Sequence, residues 1–471
     1  MNQAAAIFRL LLLPALLFLP GCGGFRLMPE AVTAPKVVLT PQQAAQHTEL
    51  WRRHFTDPGL RRLVEAAIAG NNDLRTAYQR VQAARAQVTA ARGTLAPAVS
   101  AVAGGGLTRW GRYTMDGAGN SGTPIFRDQT IPQDLPDFSV GLEAAWELDV
   151  WGRLRSQKAA AVARVLASEE GQRLVLVSLV TDVAGRYYDL VALDSTLQIL
   201  DDTLKLQKDA LNAVQAQKEA GMANALAIEQ FQARMQDLRG MQIEAREQIL
   251  EAEAAIRLLL GDSRRVITRT RTPITQAVTP RLSRSVPASL LVQRPDVRQA
   301  EHELAAARAD VKAARAAFLP QVNINGALGL QAFRSDLLLN SHSAAYSLAG
   351  GLAAPLINRA AIKAEFQKAG AGELEALAAY QQSIVNAYVE VHNQQARIRL
   401  LDELHEVKRR QVALLTQSIA TSGDLFASRR ATYLDVLNAQ QTALEGRLEL
   451  VDVKKRQLQL QISLYKALGG G

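Results

Sequence analysis

Between Phe138 and Val150 the chain alternates. Phe138, Val140, Leu142, Ala144, Trp146, Leu148 and Val150 are apolar, and Ser139, Gly141, Glu143, Ala145, Glu147 and Asp149 between them are polar or small. Successive side chains of a strand point to opposite faces, so this period predicts a strand with one apolar and one largely acidic face. Three fainter segments repeat it: Ala98 to Leu107, Val322 to Leu330 and Tyr346 to Leu356. Elsewhere the period is helical. Leu60, Leu63, Val64 and Ala67, then Val81, Ala84, Val88 and Ala91, predict a helix from Leu60 to Leu95 that Pro97 stops. No proline occurs between Pro136 and Pro273 or after Pro355. The first of these spans predicts a helix from Arg155 to about Ala220, about 100 Å long at ~1.5 Å per residue, with a break at Gly221 and a return ending at Leu260 and Gly261. The second predicts Arg359 to Thr421, a turn at Gly423 and a return from Ser428 to Leu468. Helices of that length must lie against similar helices, and their abundant alanines suit close, coiled-coil-like seams.

The order of elements is stated twice. Asn72-Asp73-Leu74-Arg75 opens an Ala/Arg-rich helix that Pro97 closes, and Pro295-Asp296-Val297-Arg298 opens one that Pro320 closes at the same spacing. Each is followed by two strands and two long helices. The expected organisation is a signal peptide (1–21), an N-terminal tether (22–58), a first repeat (59–261), an irregular linker (262–293) and a second repeat (294–471). The linker carries Arg264, Arg265, Arg269, Arg271, Arg281 and Arg284 and reads as a solvated connector.

Arg9 and the apolar run Leu10 to Leu19 have the length and flanks of a signal peptide, which directs export. Leu19-Pro20-Gly21-Cys22 resembles a bacterial lipobox. Cys22, the single cysteine, is then the lipidation site and the start of an extended tether. No later stretch is long and uncharged enough for a membrane helix, so any bilayer crossing must use strands. Unpaired strand edges cannot face hydrocarbon, and single-chain bacterial barrels begin at about eight strands. Four strands per chain therefore imply a barrel shared between copies, continued by long helices into a tunnel. The polar strand face places Glu143, Glu147 and Asp149 as candidate lumen residues.

The 471 residues carry a net charge of +9. The basic residues are dispersed over helices and linker, with few aromatics among them, which argues against a nucleic-acid partner. Gly117 to Gly122 satisfies a GxGxxG pattern but lies in the connection between two strands and reads as a loop. The histidines, His47 and His54 among them, lack metal-ligand spacing, and no serine or cysteine has a nucleophile context. Neither an enzyme nor a cofactor is expected.

The segments Leu290-Leu291-Val292-Gln293-Arg294-Pro295-Asp296-Val297-Arg298-Gln299-Ala300-Glu301, Trp146-Glu147-Leu148-Asp149-Val150-Trp151-Gly152-Arg153 and Leu464-Tyr465-Lys466-Ala467-Leu468-Gly469-Gly470 resemble the TolC-like outer membrane efflux proteins. The branch they resemble is the NodT-like lipoprotein one, which serves resistance-nodulation-division pumps. The resemblance covers essentially the whole chain. It implies a mainly α protein with membrane β: a homotrimer with a shared transmembrane β-barrel in outer membrane lipid, continued by a periplasmic α-helical barrel. It also implies a passive duct that exports drugs or other small toxic solutes, working with a periplasmic adaptor and an inner-membrane pump. A heavy-metal cation duct is the alternative within the family, and a periplasmic adaptor or structural coiled coil is the alternative outside it. Tyr433-Leu434-Asp435-Val436-Leu437-Asn438 matches the family's segment at the periplasmic gate. It points to Asp435, Asn438, Tyr433 and Leu437 as gate candidates, Asn438 standing where an aspartate is usual. Leu356-Ile357-Asn358-Arg359 departs from the paired glycines common after the last strand.

Overall fold

The computed structural model describes residues 51–126, 129–219, 224–270, 272–277, 291–357 and 359–470. The signal peptide, Cys22, His47, Gly221, Arg271, Arg281 and Arg284 lie outside the described residues. Two compact units make up the chain. One contains Arg85–Ala163 and Ala305–Leu374, and the other the described parts of Pro35–Ala84, Arg164–Leu304 and Glu375–Gly471.

Helix α1 (Pro58–Gly70) starts where Asp57 accepts hydrogen bonds from the backbone N–H of Gly59 at 2.7 Å and Leu60 at 3.1 Å, with Pro58 in the first turn. It ends at Asn71, so the single helix expected from Leu60 to Leu95 is two. The apolar period continues across the break, but Asn71 Oδ1 accepts from Leu74 N at 2.9 Å and starts α2 (Asn72–Gly93) afresh. Residues expected to form the end of an extended tether are instead packed down. Trp51–His54 form a helical turn, and Trp51 and Phe55 are buried with Leu60, Tyr187, Leu190, Ile256, Leu458 and Ile462 in the main apolar core.

Strand β1 (Ala98–Arg109) is followed by a short helix α3 (Met115–Gly122), a small hairpin β2 (Pro124–Phe126) and β3 (Gln129–Thr130), and strand β4 (Asp134–Leu148). The loop expected at Gly117 to Gly122 is therefore largely helical, because Thr114 caps it by accepting from Gly117 N at 3.1 Å. Strands β5 (Gln321–Ala332) and β6 (Ala344–Ala353) complete an antiparallel sheet in the order β1-β4-β5-β6. Both β4 and β6 stop before the alternating patterns that suggested them, at Leu148 and Ala353. At the sheet's foot Trp146 Nε1 donates to Leu95 O at 3.1 Å and Trp151 Nε1 to Pro320 O at 2.7 Å, fastening β4 and its following turn to the ends of both short connecting segments.

Four long helices follow the strands in two pairs: α4 (Arg153–Glu219) and α5 (Ala225–Leu260), then, after helix α6 (Pro295–Ala316) and β5–β6, α7 (Ala360–Ala427) and α8 (Tyr433–Ala467). Asp149 starts α4, accepting from Leu154 N and Arg155 N, each at 2.9 Å. The turn expected at Gly423 lies further on. Gly423 is inside α7, and the chain turns where Arg429 takes a left-handed φ of 63°. There Arg430 N bonds Leu425 O at 2.8 Å and Arg429 N bonds Phe426 O at 3.0 Å, which terminates the helix.

The duplicated motif marks a junction in each copy, where a returning long helix meets the start of a short one. Gly261 (φ 65°) ends α5 against Gly70 and Asn71, so close that a Cβ on Gly261 would lie 2.4 Å from Gly70 O. Asn71 Nδ2 donates to Leu259 O at 3.0 Å across this junction. In the second copy Gly469 (φ 79°) ends α8 against Arg294 and Pro295, and Arg294 Nη1 donates to Ala467 O at 2.6 Å. The solvated connector is also corrected in its described part. Ile267 and Ile274 are buried, Ile274 N donates to Ser195 Oγ at 2.9 Å, and Arg269 bonds Asp194 at 3.1 Å and Glu253 at 2.7 Å. The part around Ile267, Arg269 and Ile274 is strapped to α4 and α5, while Arg264 and Arg265 are exposed as a solvated connector would have them.

Candidate functional site

Antiparallel partners project to the same face, so the pairing register shows what each face of the sheet carries. Val140 lies opposite Ala103 and Leu330, Leu142 opposite Ala101 and Leu328, and Ala144 opposite Val99 and Gly326; Leu328 continues to Tyr346 and Gly326 to Leu348. This face is apolar across all four strands, and Val99, Leu142, Leu328, Tyr346 and Leu348 on it are exposed. Contiguous exposed apolar surface of this kind marks a surface made to meet lipid or protein. No helix among the described residues is long and apolar enough to cross a membrane.

The opposite face is polar. Glu143 lies between Ser100 and Ala327, which leads to Ser347; Ser139 between Gly104 and Gln331; Glu147 beside Asn323. Gly141 and Gly329 oppose each other on this face, and a Cβ on either would lie 2.6 Å or 2.4 Å from a carbonyl oxygen of the partner strand. Only glycine permits the strands to close up towards the polar side here. Asp137 accepts from Gln331 Nε2 at 2.9 Å. Glu147 is neutralised by Arg153, whose Nε donates to it at 3.1 Å. Glu143 has no hydrogen-bonding or ionic partner among the described residues. Asp149, grouped with these carboxylates by the alternation, is past the strand end, and its oxygens are held by the start of α4 and by Arg155. The sheet face thus brings Glu143 and Glu147 together and leaves Asp149 out.

In the other unit the gate candidates divide into two pairs. Tyr433 and Leu437 are partly buried against an apolar cluster of Leu211, Val214, Ala227 and Phe231, joined by Phe426. They hold the second helical hairpin to the first within one chain. Asp435 and Asn438 are exposed. Asp435 and Thr432 form a capping box: Asp435 Oδ2 accepts from Thr432 Oγ1 at 2.7 Å and Thr432 N at 2.8 Å, and Thr432 Oγ1 accepts from Asp435 N at 3.3 Å. The Thr432 hydroxyl and backbone N–H hold the Asp435 carboxyl below the usual carboxylate range, so it is a fixed anion at the start of α8. Residue types alone did not point to Phe231 and Phe426. The signal was the four-residue spacing of Ala227 and Phe231 in the first hairpin, repeated by Tyr433 and Leu437 in the second.

A family profile described as outer membrane efflux protein matches residues 63–262 and 286–470. The cation efflux system protein CusC of Escherichia coli is 31% identical over 423 residues, covering 89% of this chain and 88% of that protein. The solvent efflux pump outer membrane protein SrpC of Pseudomonas putida is 30% identical over 427 residues, covering 89% and 87%. The probable outer membrane lipoprotein SilC of Salmonella typhimurium is 28% identical over 444 residues, covering 94% and 93%. Among solved structures, one of CusC that addresses folding and transmembrane channel formation superposes with a TM-score of 0.80 at 28% identity, covering 94% of this chain and 100% of that one.

Proposed function

The chain belongs to the outer membrane efflux protein family, and on that premise we propose that three copies assemble into one duct, each contributing four strands to a shared barrel. The protein is an outer membrane efflux channel with a helical extension into the periplasm. The observation that carries the assembly is the sheet itself. Its apolar face is uncovered within the chain, its outer strands β1 and β6 each have one neighbour, and no described helix can take the membrane's place. Edge N–H and C=O groups in hydrocarbon cost several kcal/mol each, so the edges must pair with those of further copies. Three copies give twelve strands, within the range known for bacterial barrels of about 8 to 26.

In this reading the polar face lines the lumen, with Glu143 as its unpaired charge and Glu147 held by Arg153. Cys22 carries the lipid anchor. A periplasmic adaptor docks at the helical extension, and an inner-membrane pump of the resistance-nodulation-division class supplies the energy, since a passive duct has none. The gate is the narrow end where α7 turns into α8. There Tyr433 and Leu437 hold the two hairpins together in the closed state, and Asp435 and Asn438 face the path. CusC and SrpC serve chemically different cargo by name, cations and solvent, which supports placing the choice of solute in the pump rather than the duct.

Purified protein in planar bilayers tests the reading. A channel in outer-membrane fractions, migrating as a heat-modifiable trimer and conducting ions, is expected. A monomer that fractionates with soluble periplasmic protein would instead support an adaptor or structural coiled coil. Cys22→Ser should abolish acyl labelling and leave the trimer in the outer membrane.

A further inference from the structure

Near the hairpin tips, α4 and α8 join the two helical hairpins of one chain along positions that alternate by four and three residues, the spacing of a coiled-coil seam. On α4 the apolar members are Leu200, Leu204, Leu211 and Val214, and on α8 they are Tyr433, Leu437 and Leu444. One step of the pattern on each helix is polar. Gln207 stands between Leu204 and Leu211, and Gln440 between Leu437 and Leu444. Both are core residues by burial, at 1% and 4% exposure.

The two glutamines share one layer. Leu211 of α4 and Leu437 of α8 meet Phe231 of α5 in the tip cluster, and Leu200 and Leu444 meet Leu238 in the next one. Gln207 and Gln440 lie between these clusters on their helices, so their layer separates the apolar tip from the apolar seam beyond it. The Oε1 atom of each is buried and accepts no hydrogen bond from any described residue. Farther from the tip the same two helices are joined differently. There Gln459 Nε2 of α8 donates to Asp189 Oδ1 of α4 at 2.6 Å, and within the first hairpin Gln242 Nε2 donates to Asp201 Oδ1 at 2.7 Å. A carboxylate satisfies the amide at those levels, and no described carboxylate does so at Gln207 or Gln440.

A polar side chain at a core position of a helix seam fixes the register, because sliding the helices would set the amide against leucine, and it does so at a cost in stability. An acceptor without a protein donor adds to that cost while the seam is shut, and exposure to water removes it. We propose that Gln207 and Gln440 are positioning residues for the gate: they set the register of the tip and make a polar break along which Tyr433 and Leu437 of the second hairpin separate from the first. Opening then loses the apolar contacts of the tip and gains hydration of two amides. The two states lie closer in energy than a leucine seam would leave them, so a modest bias shifts the population. Beyond the break, the bond from Gln459 to Asp189 holds α8 on α4 and confines the movement to the tip. The inference rests on the proposed gate at Tyr433 to Asn438 and identifies what lets it move.

Single-channel recording of the full chain in planar bilayers tests it, in a background where the gate is loosened. Tyr433→Ala should raise the conductance severalfold. Adding Gln207→Leu with Gln440→Leu should reverse most of that rise, while adding Gln207→Asn with Gln440→Asn, which keeps the amides, should not. Thermal unfolding gives a second readout: the leucine pair in the otherwise unchanged chain should melt at a higher temperature. If the leucine pair does not assemble, Gln207→Met alone, with a side chain of the same length, carries the same two expectations. A rise on Tyr433→Ala that the leucine pair leaves standing, or that the asparagine pair reverses equally, overturns the polar break and leaves the gate in place. So does a melting temperature that is unchanged or lower. No change on Tyr433→Ala overturns the gate itself, and this inference with it.

Discussion

Where α5 runs into α2 the contact is neutral, and where α8 runs into α6 the same place is held by ions. In the first copy one side chain serves both helices, Asn71 capping the start of α2 and the end of α5. In the second, Arg294 bonds the end of α8 through Ala467 O while clamping Asp296 at 3.0 and 2.8 Å and reaching Glu390 of α7 at 2.8 Å. Both junctions place a glycine in the left-handed region, Gly261 and Gly469, a conformation that other residues rarely adopt, and at Gly261 the helix ends also approach too closely for a Cβ. The duplication thus preserves a geometry and not a chemistry. The second junction also gains a neighbour that the first lacks. His54 stacks on Tyr465 in the last turn of α8, with ring centroids 5.0 Å apart, and Phe55 meets the same ring edge-on.

The sharpest way to break this comparison is to delete the ionic clamp. Arg294→Ala leaves two partly buried carboxylates without their cation and should cost about 3 to 5 kcal/mol in denaturant unfolding. Second comes pH. Burial lowers the His54 pKa from 6.5 to about 4, so the folded chain keeps it neutral. The unfolded chain takes up a proton first as pH falls below 6.5, so stability falls across that window, by up to about 3 kcal/mol, and the loss is complete near pH 4. His54→Phe should keep the stack and remove this slope in a pH series of thermal melts. Asn71→Ala should cost less, about 1 to 2 kcal/mol, the value of a lost helix cap. Equal losses at Asn71 and Arg294 would erase the distinction between the copies. The smallest effect concerns a third helix end, that of α7, where an arginine holds the left-handed position that glycine holds in α5 and α8. Arg429→Gly should raise the melting temperature, gaining about 1 kcal/mol by relieving the backbone; no gain would mean that local contacts of Arg429 already compensate.

Strands were legible because a sheet with unlike faces imposes period two, and Phe138 to Leu148 obey it with few exceptions. Their ends were not, since Asp149 and Val150 continue the alternation while the backbone has already turned to start α4. Long helices were legible from missing prolines, but the turn after α7 was misplaced. A glycine inside a helix costs only about 1 kcal/mol, so Gly423 does not stop it, and the left-handed residue that does is an arginine. Asn71 hid its break because Ala67, Leu74, Ala77 and Val81 keep helical spacing across it. At the hairpin tips the sequence singled out Tyr433 and Leu437 without revealing that their neighbours are Phe231 and Leu211, contacts made between copies of the repeat and invisible to any local pattern. The polar chemistry of the two junctions was illegible for the same reason, as Asn71 and Arg294 act on helices far away in the chain.

The central claim is that the sheet is one wall of a shared membrane barrel, apolar side to lipid and polar side to water. Single cysteines from Ser139 to Trp146, probed in intact cells with a charged maleimide that cannot enter lipid, test it most directly. Strong labelling is expected at Ser139, Glu143 and Ala145, Gly141 being left out because its strand pairing admits only glycine, and almost none at Val140, Leu142, Ala144 and Trp146, which a lipid-soluble reagent should reach instead. Labelling by the charged reagent at both sets alike would place the sheet in water and contradict it.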